Sequence, residues 1–135
     1  TALLMATMSG VEVNLMFPCK PDHPFVYWAT LSYVGELIMA GANCYTYDNG
    51  FLHAKGLSID GKACCYGTAN MDIRSFELNF EVNAMIFDQN IAGEMERIFR
   101  EDLKCCTRIT KGMYKSRSVW IRFKEQISRL LSPVL

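Results

Sequence analysis

The sequence predicts an α/β domain in which a mixed β-sheet is flanked by helices. Three observations carry that expectation. Half of the 135 residues are hydrophobic and the mean hydropathy is slightly positive, enough apolar material for one domain with a sizeable core. Short strand-like runs alternate with longer stretches of helical periodicity, in the order α, β, α, β, β-hairpin, β, α, α. Turn and stop residues fall between these runs rather than within them.

Residues 1–9 read as the end of a helix stopped by Gly10, and its uncapped start at residue 1 suggests a chain cut from something longer. VEVNLMF, 11–17, reads as a strand ended by Pro18, and CKPDHP, 19–24, as a loop. A helix follows from Phe25 to Met39 with Gly41 beyond its end, and then a short strand, 43–48, ending at the Asn49-Gly50 turn. MDIRSFELN reads as a loop with a short helical turn, 80–87 as a strand, and 89 to about 105 as an amphipathic helix. Residues 107–117 are polar and irregular, with room for one short helix. Ser118 is a candidate cap for a last helix, Val119 to Leu131, with Pro133 after it.

Phe51 to Asn70, FLHAKGLSIDGKACCYGTAN, is the most informative stretch. Asp60-Gly61 is a strong two-residue hairpin signal, because a type I′ turn needs positive φ at both central positions. A two-residue turn would set Ile59 opposite Lys62, Leu57 opposite Cys64, Lys55 opposite Tyr66 and His53 opposite Thr68. One sheet face would then carry His53, Lys55, Tyr66 and Thr68, with Asn70 just past the strand end. An imidazole can serve as nucleophile or general acid near neutral pH, a lysine supplies fixed positive charge, and an asparagine amide adds a neutral donor. That set suits phosphoryl transfer, where catalysis is mostly positioning plus charge stabilisation. The alternative is a buried strand whose histidine is satisfied by a neighbour. Keeping a lysine two residues away on the same buried face would then be costly. Asp60 is fully explained by the turn, whatever else it does.

The run His53-x-Lys55-x4-Asp60-x6-Gly67-Thr68-x-Asn70 resembles the HKD motif of the phospholipase D superfamily. The continuation GTANMDIRSFELNFEVNAMIFD, the upstream KPDHPFVYWATLSY and the terminal VW-x-R…LLSPVL are similar to bacterial cardiolipin synthases, so the resemblance covers nearly the whole chain. It implies a phospholipase D-like half, residues 1–135, with one HKD motif and the fold of a sheet flanked by helices. It also implies a catalytic set of His53, Lys55, Asp60, Asn70 and Glu81, the last in the N-x-E position Asn79-Phe80-Glu81. A carboxylate on the far ring nitrogen would fix the imidazole tautomer and stabilise the imidazolium; a cross-strand ion pair is the plainer role for Glu81. Asn83 points the same way by alternation.

Thr68, Asp72, Arg74, Ser75 and His23 are candidate substrate-binding residues. The MDIRS run could close over a phosphate or be a salt-bridged loop, and His23 could touch substrate or simply be solvated. Tyr33 stands undecided between core and pocket. Thr68 replaces the commoner Ser and keeps the hydroxyl. Leu31 stands where related synthases tend to carry Arg, which removes one phosphate contact, and Gly56 is expected to weaken the motif strand slightly. The superfamily uses two HKD motifs, one histidine as nucleophile and the other as leaving-group acid, and only His53 lies in one here. The chain therefore resembles the carboxyl-terminal half of a synthase.

The resemblance implies transfer of a phosphatidyl group between two phosphatidylglycerols through a phosphohistidine, giving cardiolipin and glycerol without cofactor or metal. Its expected partners are a phospholipid substrate (phosphatidylglycerol), a membrane surface, and the other HKD half or a homodimer partner. The expected location is the cytoplasmic face of the cell membrane, with the parent protein membrane-anchored and this fragment soluble. A phospholipase D-superfamily nuclease or phosphodiesterase acting as a homodimer is the alternative. The 14 basic residues balance 14 acidic ones, which does not favour a nucleic-acid partner. No run of about 18 apolar residues, the length a spanning helix needs, is present, and no secretory leader pattern opens the chain. The six cysteines, at 19, 44, 64, 65, 105 and 106, lack the C-x2-C spacing of a zinc site and read as reduced packing residues of a cytosolic protein. In the amphipathic tail, 118–135, Trp120, Phe123, Ile127 and Leu130 recur at helical spacing beside Arg122, Lys124 and Arg129. Such a helix either docks its stripe on its own domain or lies on a membrane.

Overall fold

The computed structural model describes residues 1–19 and 24–131. His23 and the end of the tail, 132–135, lie outside them. In chain order the elements are α1 (Ala2–Met8), β1 (Asn14–Pro18), α2 (Pro24–Ala40), β2 (Asn43–Tyr47), β3 (Gly56–Ile59), β4 (Ala63–Gly67), α3 (Ile73–Glu77), β5 (Asn83–Ile86), α4 (Gln89–Asp102), β6 (Cys106–Ile109), α5 (Lys111–Lys115) and α6 (Val119–Leu131). The architecture is the expected mixture of helices and strands, but the sheet is divided into two three-stranded sheets, β1-β2-β6 and β3-β4-β5. They belong to two compact units, one made of Thr1–Leu52 with the chain from Cys106 onward, the other of His53–Cys105.

In the first unit β1 and β2 run parallel, Leu15 beside Cys44 and Phe17 beside Thr46. A parallel pair needs a long crossover, and α2 supplies it. Phe17, Leu31, Val34, Ile38, Ala42 and Cys44 form the core between this sheet and α2. Cys44 acts as a small apolar residue there, and burial pushes its thiol up to about 11. β6, within a stretch expected to be irregular, pairs antiparallel with β2, Thr46 opposite Thr107 and Cys44 opposite Ile109. The short helix allowed in that stretch is α5, capped by the Thr110 hydroxyl, which accepts from the Met113 N–H at 3.2 Å. Tyr114 of α5 lies on α2 at Gly35, where any Cβ would stand 1.7 Å from the phenol oxygen.

α6 begins and ends where the sequence places it, and the Ser118 hydroxyl accepts from the Ile121 N–H at 3.3 Å. It packs against α2. Its inward side is not the apolar stripe. Glu125, 2% exposed, and Ser128, 1% exposed, are the buried positions, and Glu125 pairs with Arg117. Arg129 pairs with Glu36 of α2 and lies 4.8 Å over the Tyr33 ring; the Lys124 ammonium lies 5.6 Å over Trp28. Of the two orientations open to this helix, the structure turns Trp120, Phe123 and Leu130 outward. Among the described residues no helix is long and apolar enough to cross a membrane.

In the second unit β3, β4 and β5 form an antiparallel sheet. α4 crosses one face, burying Cys64 and Ala92 completely. Asp88 caps α4, its carboxylate accepting from the Asn90 and Ile91 N–H groups at 2.9 and 3.0 Å.

Candidate active site

The Asp60-Gly61 turn forms as its sequence dictates. Asp60 has φ 51° and Gly61 φ 61°, and the Lys62 N–H donates to the Ile59 carbonyl at 2.9 Å. The ladder resumes one residue later than expected, however. Ile59 pairs with Ala63 and Leu57 with Cys65, not with Lys62 and Cys64. Lys62 is thus an extra residue, and because side chains alternate with a period of two, a one-residue slip exchanges the faces. The pairings Lys55–Tyr66 and His53–Thr68 are therefore corrected. Tyr66 lies on the face of Ser58 and Cys64, its ring filling the space over Gly56, where a Cβ would be 2.1 Å from a ring carbon. Gly56 makes room for an aromatic ring rather than merely weakening the strand.

The strand is also shorter than its pattern, since β3 begins at Gly56 and residues 51–55 approach it irregularly. One bond, from the Gly67 N–H to the Lys55 carbonyl at 3.3 Å, carries the pairing past β3. Lys55 thereby continues the alternation of Leu57 and Ile59, on the face that α4 leaves open. Its ammonium donates to the His53 carbonyl at 2.9 Å, and the His53 side chain is exposed.

Opposite this approach the end of β4 is tied to the start of β5. The Thr68 N–H donates to the Val82 carbonyl at 3.0 Å, and the Thr68 hydroxyl accepts from the Val82 N–H at 2.9 Å. Gly67 is required by the same closeness: a Cβ there would meet the Val82 carbonyl at 2.1 Å and the Asn83 amide oxygen at 2.3 Å. Asn83 in turn accepts from the Ala69 N–H at 3.4 Å. Past the strand, the Asn70 N–H donates to the buried Ser75 hydroxyl oxygen at 3.1 Å, and the Ser75 N–H donates to Asp72, which caps α3, at 2.7 Å.

Glu81 closes the cluster. Hydrogen bonds from the Thr68 and Ser75 hydroxyls, then from the Asn79 amide, and the positive charge of Lys55 hold its carboxyl below the usual carboxylate range. The Asn79 amide donates to its Oε1 at 3.3 Å. One network thus gathers Lys55, Thr68, Asn70, Asp72, Ser75 and Glu81, with His53 two residues before Lys55. Asp60 stays at the distal turn, and Arg74 is exposed on α3. The arrangement offers an anion held near a lysine, with the exposed His53 two residues before that lysine in the chain; these are residue types suited to acid, base or nucleophilic work on a phosphoryl group.

Residues 1–103 match the family described as "Cardiolipin synthase, PLD-like domain". The chain belongs to that family. Over 134 residues, 99% of its length, it is 56% identical to a cardiolipin synthase of Oceanobacillus iheyensis and to the major cardiolipin synthase ClsA of Bacillus subtilis. It is 55% identical over the same length to cardiolipin synthase 1 of Staphylococcus epidermidis. The chain spans only 28%, 28% and 27% of these relatives.

Within this phospholipase D-like domain, Leu31 is a buried core residue beside Val34 and Phe17, so the position offers no charge to a phosphate. Tyr33 is partly exposed under the Arg129 guanidinium. The sequence reading passed over Ser75 as a link between Asn70 and Glu81. The signal for it was present: Asp72-x-x-Ser75 is a helix-cap spacing that pins Ser75. It also passed over the need for Gly67, which only the return of β5 reveals.

Proposed function

We propose that this chain is one HKD half of a cardiolipin synthase and contributes His53, Lys55, Asn70 and Glu81 to a shared phosphatidyltransferase site. The observation that supports the reading is the network at the end of β4, in which the Glu81 carboxylate lies within the electrostatic reach of Lys55, whose ammonium donates to the backbone carbonyl of the motif histidine. A motif histidine attacks the phosphorus of one phosphatidylglycerol. The N–P bond forms as the P–O bond to the headgroup glycerol breaks, and the histidine of the other half protonates that glycerol. A second phosphatidylglycerol then gives its terminal hydroxyl proton to the same acid–base histidine and attacks the phosphorus. The N–P bond breaks, and cardiolipin leaves. Lys55 and Asn70 stabilise the phosphoryl oxygens, and Glu81 orients the imidazole. Thr68 and Arg74 are the nearest candidates for further phosphate contacts, with Asp72 and Ser75 supporting them. The proposed reaction takes place at a membrane surface, on its cytoplasmic face.

The full synthase containing this domain, incubated with phosphatidylglycerol labelled in its headgroup, is expected to yield cardiolipin and one glycerol per turnover. His53→Ala should lower that rate by at least about 10³-fold, the scale of losing a nucleophile or general acid. Cleavage of plasmid DNA without lipid transfer would favour the homodimeric nuclease instead.

A further inference from the structure

α6 presents to solvent the side that an amphipathic helix ordinarily buries. Val119, Trp120, Phe123 and Leu130 are 78, 75, 56 and 81% exposed, whereas Glu125 and Ser128 are buried against the rest of the unit. The Trp120 and Phe123 rings meet edge to face, 6.4 Å between centroids, which holds both on the outer surface. At 100° per residue the outward stripe covers roughly a third of the helix circumference, with Lys124 bordering one side and Arg122 and Gln126 the other.

Charge is segregated toward the same end of the chain. Residues 103–135 contain eight Lys or Arg and a single acid, Glu125, whereas residues 1–102 contain six against thirteen acids. The zero net charge therefore conceals a strongly basic carboxyl-terminal segment. Glu125 is turned inward to Arg117, and Arg129 and Lys104 pair with Glu36 and Glu101, so the charges that border the stripe are Arg122 and Lys124.

We propose that α6 is an interfacial helix, which lays Trp120, Phe123 and Leu130 into the headgroup–acyl boundary of an anionic bilayer while Arg122 and Lys124 meet lipid phosphates. The apolar stripe supplies partitioning and the basic flanks supply attraction to negative lipid, the two components such binding requires. A nucleic acid would use the basic residues but has no place for the stripe, and a polar protein surface would match neither. The inference goes beyond the catalytic reading and does not depend on it, because the surface involves none of His53, Lys55 or Glu81.

Flotation of this chain with vesicles tests it, using phosphatidylserine in phosphatidylcholine so that binding is not occupancy of a phosphatidylglycerol site. The expected result is binding to the anionic vesicles at least tenfold stronger than to pure phosphatidylcholine and weakened by salt. The double variant Phe123→Ser/Leu130→Ser should weaken it tenfold or more, and Arg122→Gln/Lys124→Gln severalfold. These residues are exposed, and an unchanged circular dichroism spectrum and melting temperature will verify that both variants are folded. Brominated lipid should quench Trp120, seen as the difference between wild type and Trp120→Phe. His53→Ala should bind vesicles as wild type does, even if it abolishes lipid transfer. The inference is overturned if anionic vesicles are not bound, or are bound equally by the stripe variant. It is also overturned if Phe123→Ser/Leu130→Ser instead dissociates a dimer, or if DNA competes while the stripe is dispensable.

Discussion

The two units of this chain use their apolar residues in opposite ways. The unit built on β1, α2 and β2 closes a core around Phe17, Leu31, Val34, Ile38 and Cys44. The unit that carries the HKD motif buries little beyond Cys64, Ala92 and Ser75, while Phe80, Val82, Met85 and Phe87 stand more than half exposed on and around β5. Side-chain period explains part of the contrast: α4 covers the Cys64 face of the sheet, and Leu57, Ile59 and Met85 on the other face are exposed. The same open side is approached by Lys55 and Glu81. In the motif unit apolar surface stays uncovered beside the polar network, whereas the other unit encloses its apolar side chains.

The largest effect that sharpens this contrast is on stability. Ile38→Ala should cost about 2–5 kcal/mol, the range for emptying a packed aliphatic site, whereas Met85→Ala should stay within about 0.5 kcal/mol. Chemical denaturation of the two variants checks this, and equal losses would break the comparison. Next comes an effect on rate alone. Glu81→Gln in the full synthase should lower turnover by roughly 10²-fold, the scale of a misdirected acid–base group, and leave the fold intact. Unchanged turnover would rule out the orienting role.

Gly67→Ala is the exception within the open unit. Its new Cβ would press on the Val82 carbonyl and the Asn83 side chain, at 2.1 and 2.3 Å, so the strands must part. About 1–3 kcal/mol is expected, the usual cost of overpacking, together with loss of the Thr68–Val82 bonds. Hydrogen exchange at the Thr68 and Val82 amides reports it directly, and protection equal to wild type would show that the sheet accommodates the methyl.

Local chemistry explains which features were legible in the sequence. α2, α4 and α6 declare themselves by period and caps, and the Asp60-Gly61 turn by its need for positive φ. β6 did not, because Cys106-Thr107-Arg108-Ile109 is a short strand with little apolar content, and its partner β2 lies some sixty residues earlier. The faces of the hairpin were misassigned because a turn type does not fix where the ladder restarts, and Lys62 alone decides it. The Glu81 cluster was legible only as separate residues; Ser75 and Gly67 enter it through the return of β5. The stripe of α6 was plain in the sequence, but periodicity reports a stripe and not the direction it faces.

The smallest expected effect compares two carboxylates, one from each unit. Burial raises the Glu125 carboxyl above its ordinary range despite the opposing pull of Arg117, whereas donors from Thr68 and Ser75 lower that of Glu81. A raised acid contributes stability that is present below its unfolded-state value, near 4.3, and lost as pH rises through its folded value. A lowered acid does the reverse: its contribution is present above that value and lost as pH falls through its folded one. Acidification below about pH 4.3 should therefore loosen the Glu81 network while leaving the packing of α6 on α2 intact. A carboxyl NMR titration should find Glu81 titrating below and Glu125 above an ordinary glutamate, and Thr68→Val should move only Glu81, upward. Coincident titrations would mean that the two units do not differ in how they hold their charges, and that the polar network of the HKD unit is no more organised than its surface.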